Sequence, residues 1–510
     1  MKKQVNNKDE NKRVKSNKKK YTIITIISLI IALSSSIIFK HYRSFGFFSK
    51  KENHITVFTH GSFGSVIGLM NLFHVIKDKI TGTKYKRTIS RMRKDPNFYS
   101  SQPIMQKGLF KIKPSFDLAT TSSARFAAYP ILKSYEEINK QFQAENIRDH
   151  FYTFGWSGLI SQERRRIEAI RFYNALSEEL EKYNQSQKLK VKILAHSHGG
   201  NMALNLCAVN AVINNFENIK PLLEQATTDD EREALKLMYK QIKKLPTKEK
   251  NINKKGQKRF DYIPTNKNLK INELLMFGTP IQPETECFIF HNFFKKIYNI
   301  YSEEDVVQDM DIFSTKKYSS QRLRILEEIT PNKNIPKIIQ LKIMVDRDMK
   351  KIIKDEIKTL TLVQTNTQQT SEAKNQSFWK KLFSRNRFGP KKTKDPTHRE
   401  MWFVSWDKLK KNLKTSLESI PSVIFTPLFL NAIEKISEQT NDIDVNIRLT
   451  NKNLKVYVFK HSLEEQKVEY KVSMERNIVD SIKTKLLKWI PDDLSFSNKF
   501  NIIKTYQEQI

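Results

Sequence analysis

Short apolar runs alternate with helical patterns along most of the chain. The runs are HITVFTHG (54–61), HFYTFGWSG (150–158), LKVKILAHSHGG (189–200), NELLMFGTP (272–280), IYNIYSEED (297–305) and KIIQLKIMV (337–345). This alternation predicts an α/β fold, a mostly parallel sheet with helices on its faces. Five of the six runs end in a turn carrying Gly, Ser or Asp. In open α/β sheets functional groups gather at the carboxyl ends of strands, because the loops there line the crevice. After the third run, NMALNLCAVNAVI has the apolar positions of a helix packed on the sheet. The charged sequence that follows, through DDEREALKLMYKQIKKL into PTKEKNINKKGQKRFDYIPTNKN, reads as a helical insertion over about 208–270. Residues 361–397, polar and then basic, read as a flexible excursion with one amphipathic turn at Phe378 to Phe383. Near the C-terminus, DIDVNIRLTNKNLKVYVFK and QKVEYKVSM alternate apolar and polar residues about a turn at Asn451 to Asn453. They predict a small antiparallel sheet, within an α+β module over 406–510 that follows a main domain over 50–405.

One run differs in kind. Residues 21–39, YTIITIISLIIALSSSIIF, are uncharged and bounded by Lys20 and Lys40, which is about the minimum length for a bilayer-spanning helix. A cleavable signal peptide has a shorter apolar core, so an uncleaved anchor is expected, with Ala32 to Ser34 as the cleavage site in the alternative. Nine Lys and Arg precede the segment in a basic tail (1–20), against Lys40, Arg43, Lys50 and Lys51 after it. The heavier basic load predicts a cytoplasmic N-terminus and an extracytoplasmic main domain. The formal charge of +36, from 90 Lys and Arg against 54 Asp and Glu, would suit an anionic partner. Lysine and asparagine are spread over linkers and helix faces alike, with no zinc-ligand spacing and no nucleic-acid-binding module, so no nucleic-acid partner is expected. The two cysteines, Cys207 and Cys287, require no disulfide.

The candidate chemistry centres on Ser197. In Ala195-His196-Ser197-His198-Gly199 small residues stand two before and two after a serine, as a sharp turn from strand to helix requires. The stretch resembles the nucleophile elbow of the α/β-hydrolase superfamily, serine lipases and esterases in particular. Glycine is usual at both small positions, and a family of bacterial lipases reads Ala-His-Ser in the same way. The resemblance implies an order along the chain of oxyanion loop, serine, acid and histidine. VFTHGSFGS (57–65) is similar to the family's His-Gly loop, which implies that the amides of Ser62 and His198 form the oxyanion hole. Asp305, closing the fifth run, fits the acid, with Glu303, Glu304 and Asp309 as rivals. Of the two histidines that follow, His398 in the loop DPTHREMWF fits the base better than His461, which ends a strand of the C-terminal module. The stretches YTFGWSGLISQERRRIEA (152–169) and MFGTP (276–280) resemble the segment before the family's elbow and the strand end after its nucleophile helix. His196 and His198 flank the serine, but on a sharp turn they point to different sides and lack further ligands, so neither a metal nor a cofactor is expected. The reading is a membrane-anchored serine hydrolase acting on acyl esters of lipid or lipid-like substrates, secreted if the segment is cleaved. The alternative is an inactive hydrolase fold that serves as a tethered binding or assembly module.

Overall fold

A strand that is apolar on successive residues has to lie between two layers, and the six runs do. The computed structural model describes residues 28, 52–62, 108–112, 129–144, 146–159, 161–183, 188–248, 260–305, 319–323, 336–346, 395–411, 417–434, 442–460 and 468–488. Its strands are β1 (Glu52–Thr59), β2 (Gly108–Ile112), β3 (Ile147–Gly155), β4 (Leu189–His196), β5 (Ile271–Phe277), β6 (Phe294–Tyr301), β7 (Lys337–Val345), β8 (Asp442–Leu449), β9 (Asn453–Lys460) and β10 (Val468–Glu475). They form one sheet in the order β10-β9-β8-β7-β6-β5-β4-β1-β3-β2. From β8 to β3 every pairing is parallel, while β2 at one edge and β9 and β10 at the other are antiparallel.

Two cores flank the sheet. Leu275 and Phe277 of β5 belong to one, with Phe58, Leu194, Tyr298 and Ile300, and Leu274 and Met276 to the other, with Val57, Ile193 and Ile297. Alternate side chains thus enter opposite layers, so both faces of the parallel strands are covered and their runs read as continuously apolar. Helices α1 (Tyr129–Asn139), α5 (Thr426–Glu434) and α6 (Arg476–Leu487) build the first layer, and α2 (Gln162–Leu180), α3 (His198–Asn214) and α4 (Asp229–Lys243) the second. In α3 every residue from His198 to Val209 is buried, because α2 and α4 pack against it on top of the sheet.

Two expectations change. The packed helix after Ser197 continues to Asn214, so residues 208–214 belong to the core and not to an insertion. Beyond it, the helix expected of DDEREALKLMYKQIKKL is α4: the Thr228 hydroxyl caps the Glu231 amide, three acids occupy its first turn, and Ala234, Leu235, Met238 and Ile242 are buried. The end at 405 is also overturned as a sheet boundary. β7 is buried on both faces, and an open edge there would leave a row of amides and carbonyls unpaired. β8 covers that edge in parallel, so the predicted hairpin of β8 and β9 extends the main sheet instead of forming a separate one. The edge strand β2 is an addition that the apolar runs did not predict.

Apart from Ser28 the apolar segment 21–39 lies outside the described residues, as do 361–394 of the excursion and His461. No helix among the described residues is long and apolar enough to cross a membrane. From β1 the chain goes to β3 on one side and then to β4 on the other, after which β5, β6 and β7 follow outward. The connections after β1 and β4 therefore diverge, opening a crevice at their carboxyl ends.

Candidate active site

Strand register assembles the site before any side chain is considered. β1 sets Thr59 beside Ala195, which brings Gly61 beside Ser197, and β5 sets Phe277 beside His196, which brings Gly278 to the other flank of Ser197. β4 ends at His196 and α3 begins at His198, so Ser197 alone makes the turn, with φ 51° and ψ −133°. This backbone is unfavourable for any residue with a side chain and persists only where the surroundings enforce it. They do so here. A methyl group on Gly61 would come 2.5 Å from the Ser197 Cβ, so only glycine lets the two strand ends approach. The Ser197 amide donates to the Phe277 carbonyl (2.8 Å), and the Thr279 hydroxyl donates to the Ser197 carbonyl (3.0 Å).

Gly278 lies between those two anchors and faces the acid and base. It has φ +57°, and a Cβ there would sit 2.7 Å from Asp305 Oδ2 and 3.0 Å from His398 Nδ1. His398 Nδ1 in turn stands 2.8 Å from Asp305 Oδ2, on a carboxylate with no exposure. Since an ionised carboxylate only accepts, Nδ1 carries the proton and Nε2 is left as the basic nitrogen. Asp305 follows β6 and its backbone is fixed, its amide donating to the Ser302 carbonyl (3.0 Å) and its carbonyl accepting from Gln321 Nε2 (2.7 Å). Of its rivals, Glu303 is half exposed and reaches toward Lys342 (3.5 Å), Glu304 donates its amide to the Ser302 hydroxyl (3.3 Å), and Asp309 lies outside the described residues. The His398 turn is tied down by Glu400, which accepts from the Thr397 amide (3.1 Å) and hydroxyl (3.0 Å) and pairs with Lys408.

The His-Gly loop is held from beneath. His60 has no exposure and stacks on Trp156 (centroids 5.6 Å, 16°), its Nε2 accepts the Trp156 amide (3.1 Å), and its carbonyl accepts the Trp156 indole N–H (2.6 Å). An imidazole that accepts at Nε2 is neutral and protonated at Nδ1, which donates to the Gly61 carbonyl (2.7 Å). The Trp-x-Gly turn after β3 thus carries the loop that ends, in its described part, at Ser62. His198 is the first residue of α3, which sets its amide at the positive end of the helix.

The two histidines beside Ser197 have different partners. His198 Nδ1 accepts from Arg165 Nη1 (3.3 Å), a guanidinium with no exposure whose Nη2 donates to Gln282 Oε1 (2.9 Å). His196 Nε2 donates to the main-chain carbonyl of His398 (3.0 Å). Burial, followed by the charge of His398, holds the His196 pKa well below the ordinary imidazole value, so it is neutral. Sequence reasoning assigned no role to His196, Arg165 or the cramped position of Gly278. The first lies between Ala195 and Ser197 in the strand-to-helix turn, yet nothing local links it to a carbonyl 202 residues away.

Comparison with known proteins finds no family model, no curated protein and no solved structure that matches the chain.

Proposed function

We propose that the protein is a serine hydrolase of the α/β-hydrolase fold that cleaves acyl esters, with Ser197 as nucleophile, His398 as base, Asp305 as the residue that orients it, and the amides of Ser62 and His198 as oxyanion donors. The turn at Phe277, Gly278 and Thr279 carries this reading, since it grips Ser197 at both backbone groups while its central glycine abuts the Asp305–His398 pair. A serine on a strained strand-to-helix turn exposes its hydroxyl at the carboxyl edge of the sheet, where a base can reach it. Ser197 attacks the carbonyl, His398 Nε2 takes the hydroxyl proton and returns it to the leaving alcohol, and Asp305 stabilises the imidazolium formed between these steps. Water then repeats the sequence on the acyl-enzyme. Lipid or lipid-like esters are the substrate class that suits an anchor at 21–39, with the hydrolase part outside the cytoplasm.

Hydrolysis of short- and long-chain p-nitrophenyl esters and labelling by a fluorophosphonate test the reading, with wild type against Ser197→Ala. Turnover and labelling in wild type alone are expected. An unreactive wild type, with detergent or lipid present, would leave the fold as a binding scaffold.

A further inference from the structure

His196 takes no part in the steps above, yet its imidazole lies where three segments of the site meet. It ends β4, one residue before the nucleophile. Its Nε2 donates to the His398 carbonyl (3.0 Å). On its other side a Cβ at Gly61 would come 3.2 Å from Nδ1, so the ring lies against the His-Gly loop. The ring stacks on Trp402 (5.4 Å, 12°), meets Phe403 edge-on (5.8 Å, 77°), and its centroid is 4.7 Å from that of His398. Trp402 and Phe403 belong to the same turn as His398, so one buried side chain contacts the base, the turn that carries it and the loop over the serine.

We infer that His196 is a positioning residue that sets the orientation of the His398 imidazole by holding that residue's main-chain carbonyl, an inference that rests on reading Ser197, Asp305 and His398 as a triad. The Asp305 bond at Nδ1 and the covalent link through Cβ hold two points of the ring, and its tilt about the line between them follows the backbone from which Cβ projects. A shift of that backbone would move Nε2, on the far side of the ring, relative to the serine hydroxyl. Glu400 holds the neighbouring Thr397, and the bond from His196 holds the backbone at His398 itself. A neutral donor suits this place. A lysine or arginine there would put a permanent cation against His398 and oppose the imidazolium that forms during proton transfer, whereas an imidazole N–H supplies the bond without the charge. The cost of losing it follows from geometry, since misplacing a catalytic group by about 1 Å lowers rate by about 100-fold.

The test uses the full chain and separates the bond from the ring. His196→Phe keeps an aromatic ring on Trp402 and removes the donor; His196→Gln keeps an N–H at about the reach of Nε2 and removes the ring; His196→Asn has the same amide one methylene short. Readouts are kcat and KM on a p-nitrophenyl ester, the rate of fluorophosphonate labelling, the downfield proton resonance of His398 Nδ1–H, and Tm. Expected are losses of about 30- to 100-fold in kcat and labelling for Phe and Asn, with KM within about twofold and a weakened Nδ1–H resonance, and recovery to within about fivefold of wild type for Gln. Near-wild-type kcat in His196→Phe, or equal losses in Gln and Asn that track Tm, would overturn the inference and leave His196 a packing residue. If His196→Phe does not fold, the comparison of Gln with Asn decides the same point. A wild type that the probe does not label, like Ser197→Ala, would overturn the triad itself and this inference with it.

Discussion

At the scale of single residues the site depends on which atoms carry protons and on how little room separates them. The Asp305 carboxylate can only accept, and this keeps the His398 proton on Nδ1. In Asp305→Asn the amide NH2 can face Nδ1 as a donor, which favours the tautomer protonated at Nε2 and removes the base. A fall in kcat of about 10⁴-fold is expected, with KM and Tm little changed, read by steady-state kinetics beside thermal denaturation. Gly278→Ala tests room instead of protonation. The methyl would lie 2.7 Å from Asp305 Oδ2, at a φ of +57° that alanine disfavours. The acid–base pair has to move, so activity should drop about 100-fold while stability falls by about 1–2 kcal/mol. A variant as active as wild type would show that the turn does not set the position of the pair.

At the scale of elements the molecule reads differently from the order in which its chain is written. Removing 406–510 should not yield a folded main domain. It would strip β8 from the β7 edge and take away α5 and α6, whose Leu428, Phe429, Val479 and Ile482 cover the same layer as Phe58, Leu194 and Phe277. Insoluble expression, or strong binding of a hydrophobic dye by any soluble fraction, is the expected result; a monomer with cooperative unfolding would restore the boundary at 405. β7 was legible to the residue because six of the nine residues in KIIQLKIMV are apolar and β-favouring types dominate. The hairpin of β8 and β9 was legible from alternation about a turn, but the edge that it joins is not written locally, since the first paired residues, Gln340 and Asp442, belong to strands separated by residues 346–441. β2 escaped notice because GLFKI is short, only partly buried and paired at one edge. In the same way the chain order of Ser197, Asp305 and His398 was readable, whereas the contact across 93 residues that makes the last two a pair is a property of the sheet.

At the scale of the whole molecule, acid is the condition to which this architecture is most exposed. Burial keeps the His196 pKa well below the ordinary value, with His398 adding to the effect; it also lowers His54, helped by Lys190, and takes His150 down to about 4, with Lys111 and Arg148 contributing. The unfolded chain protonates these groups near pH 6.5, while the folded protein resists. Between that pH and about 4 the unfolded state therefore binds more protons, and stability falls as pH falls, by up to about 1.4 kcal/mol per pH unit for each such group. Glu52, Glu136, Glu231 and Glu273, which stay below the usual carboxylate value despite burial because cations or hydrogen-bond donors hold them, extend the loss to lower pH. Asp149, raised by burial, acts in the opposite sense but is a single group. A net charge already at +36 grows as carboxylates protonate, so self-repulsion adds to the loss. Urea midpoints should hold steady from pH 8 to 7 and decline from about pH 6.5 downward, with His150→Gln flattening part of the slope because its side chain has no proton to gain. A midpoint unchanged between pH 7 and 5 would mean that these histidines are not held neutral. The neutral state assigned to His196 would then have to be abandoned as well, although its Nε2–H would still reach the His398 carbonyl.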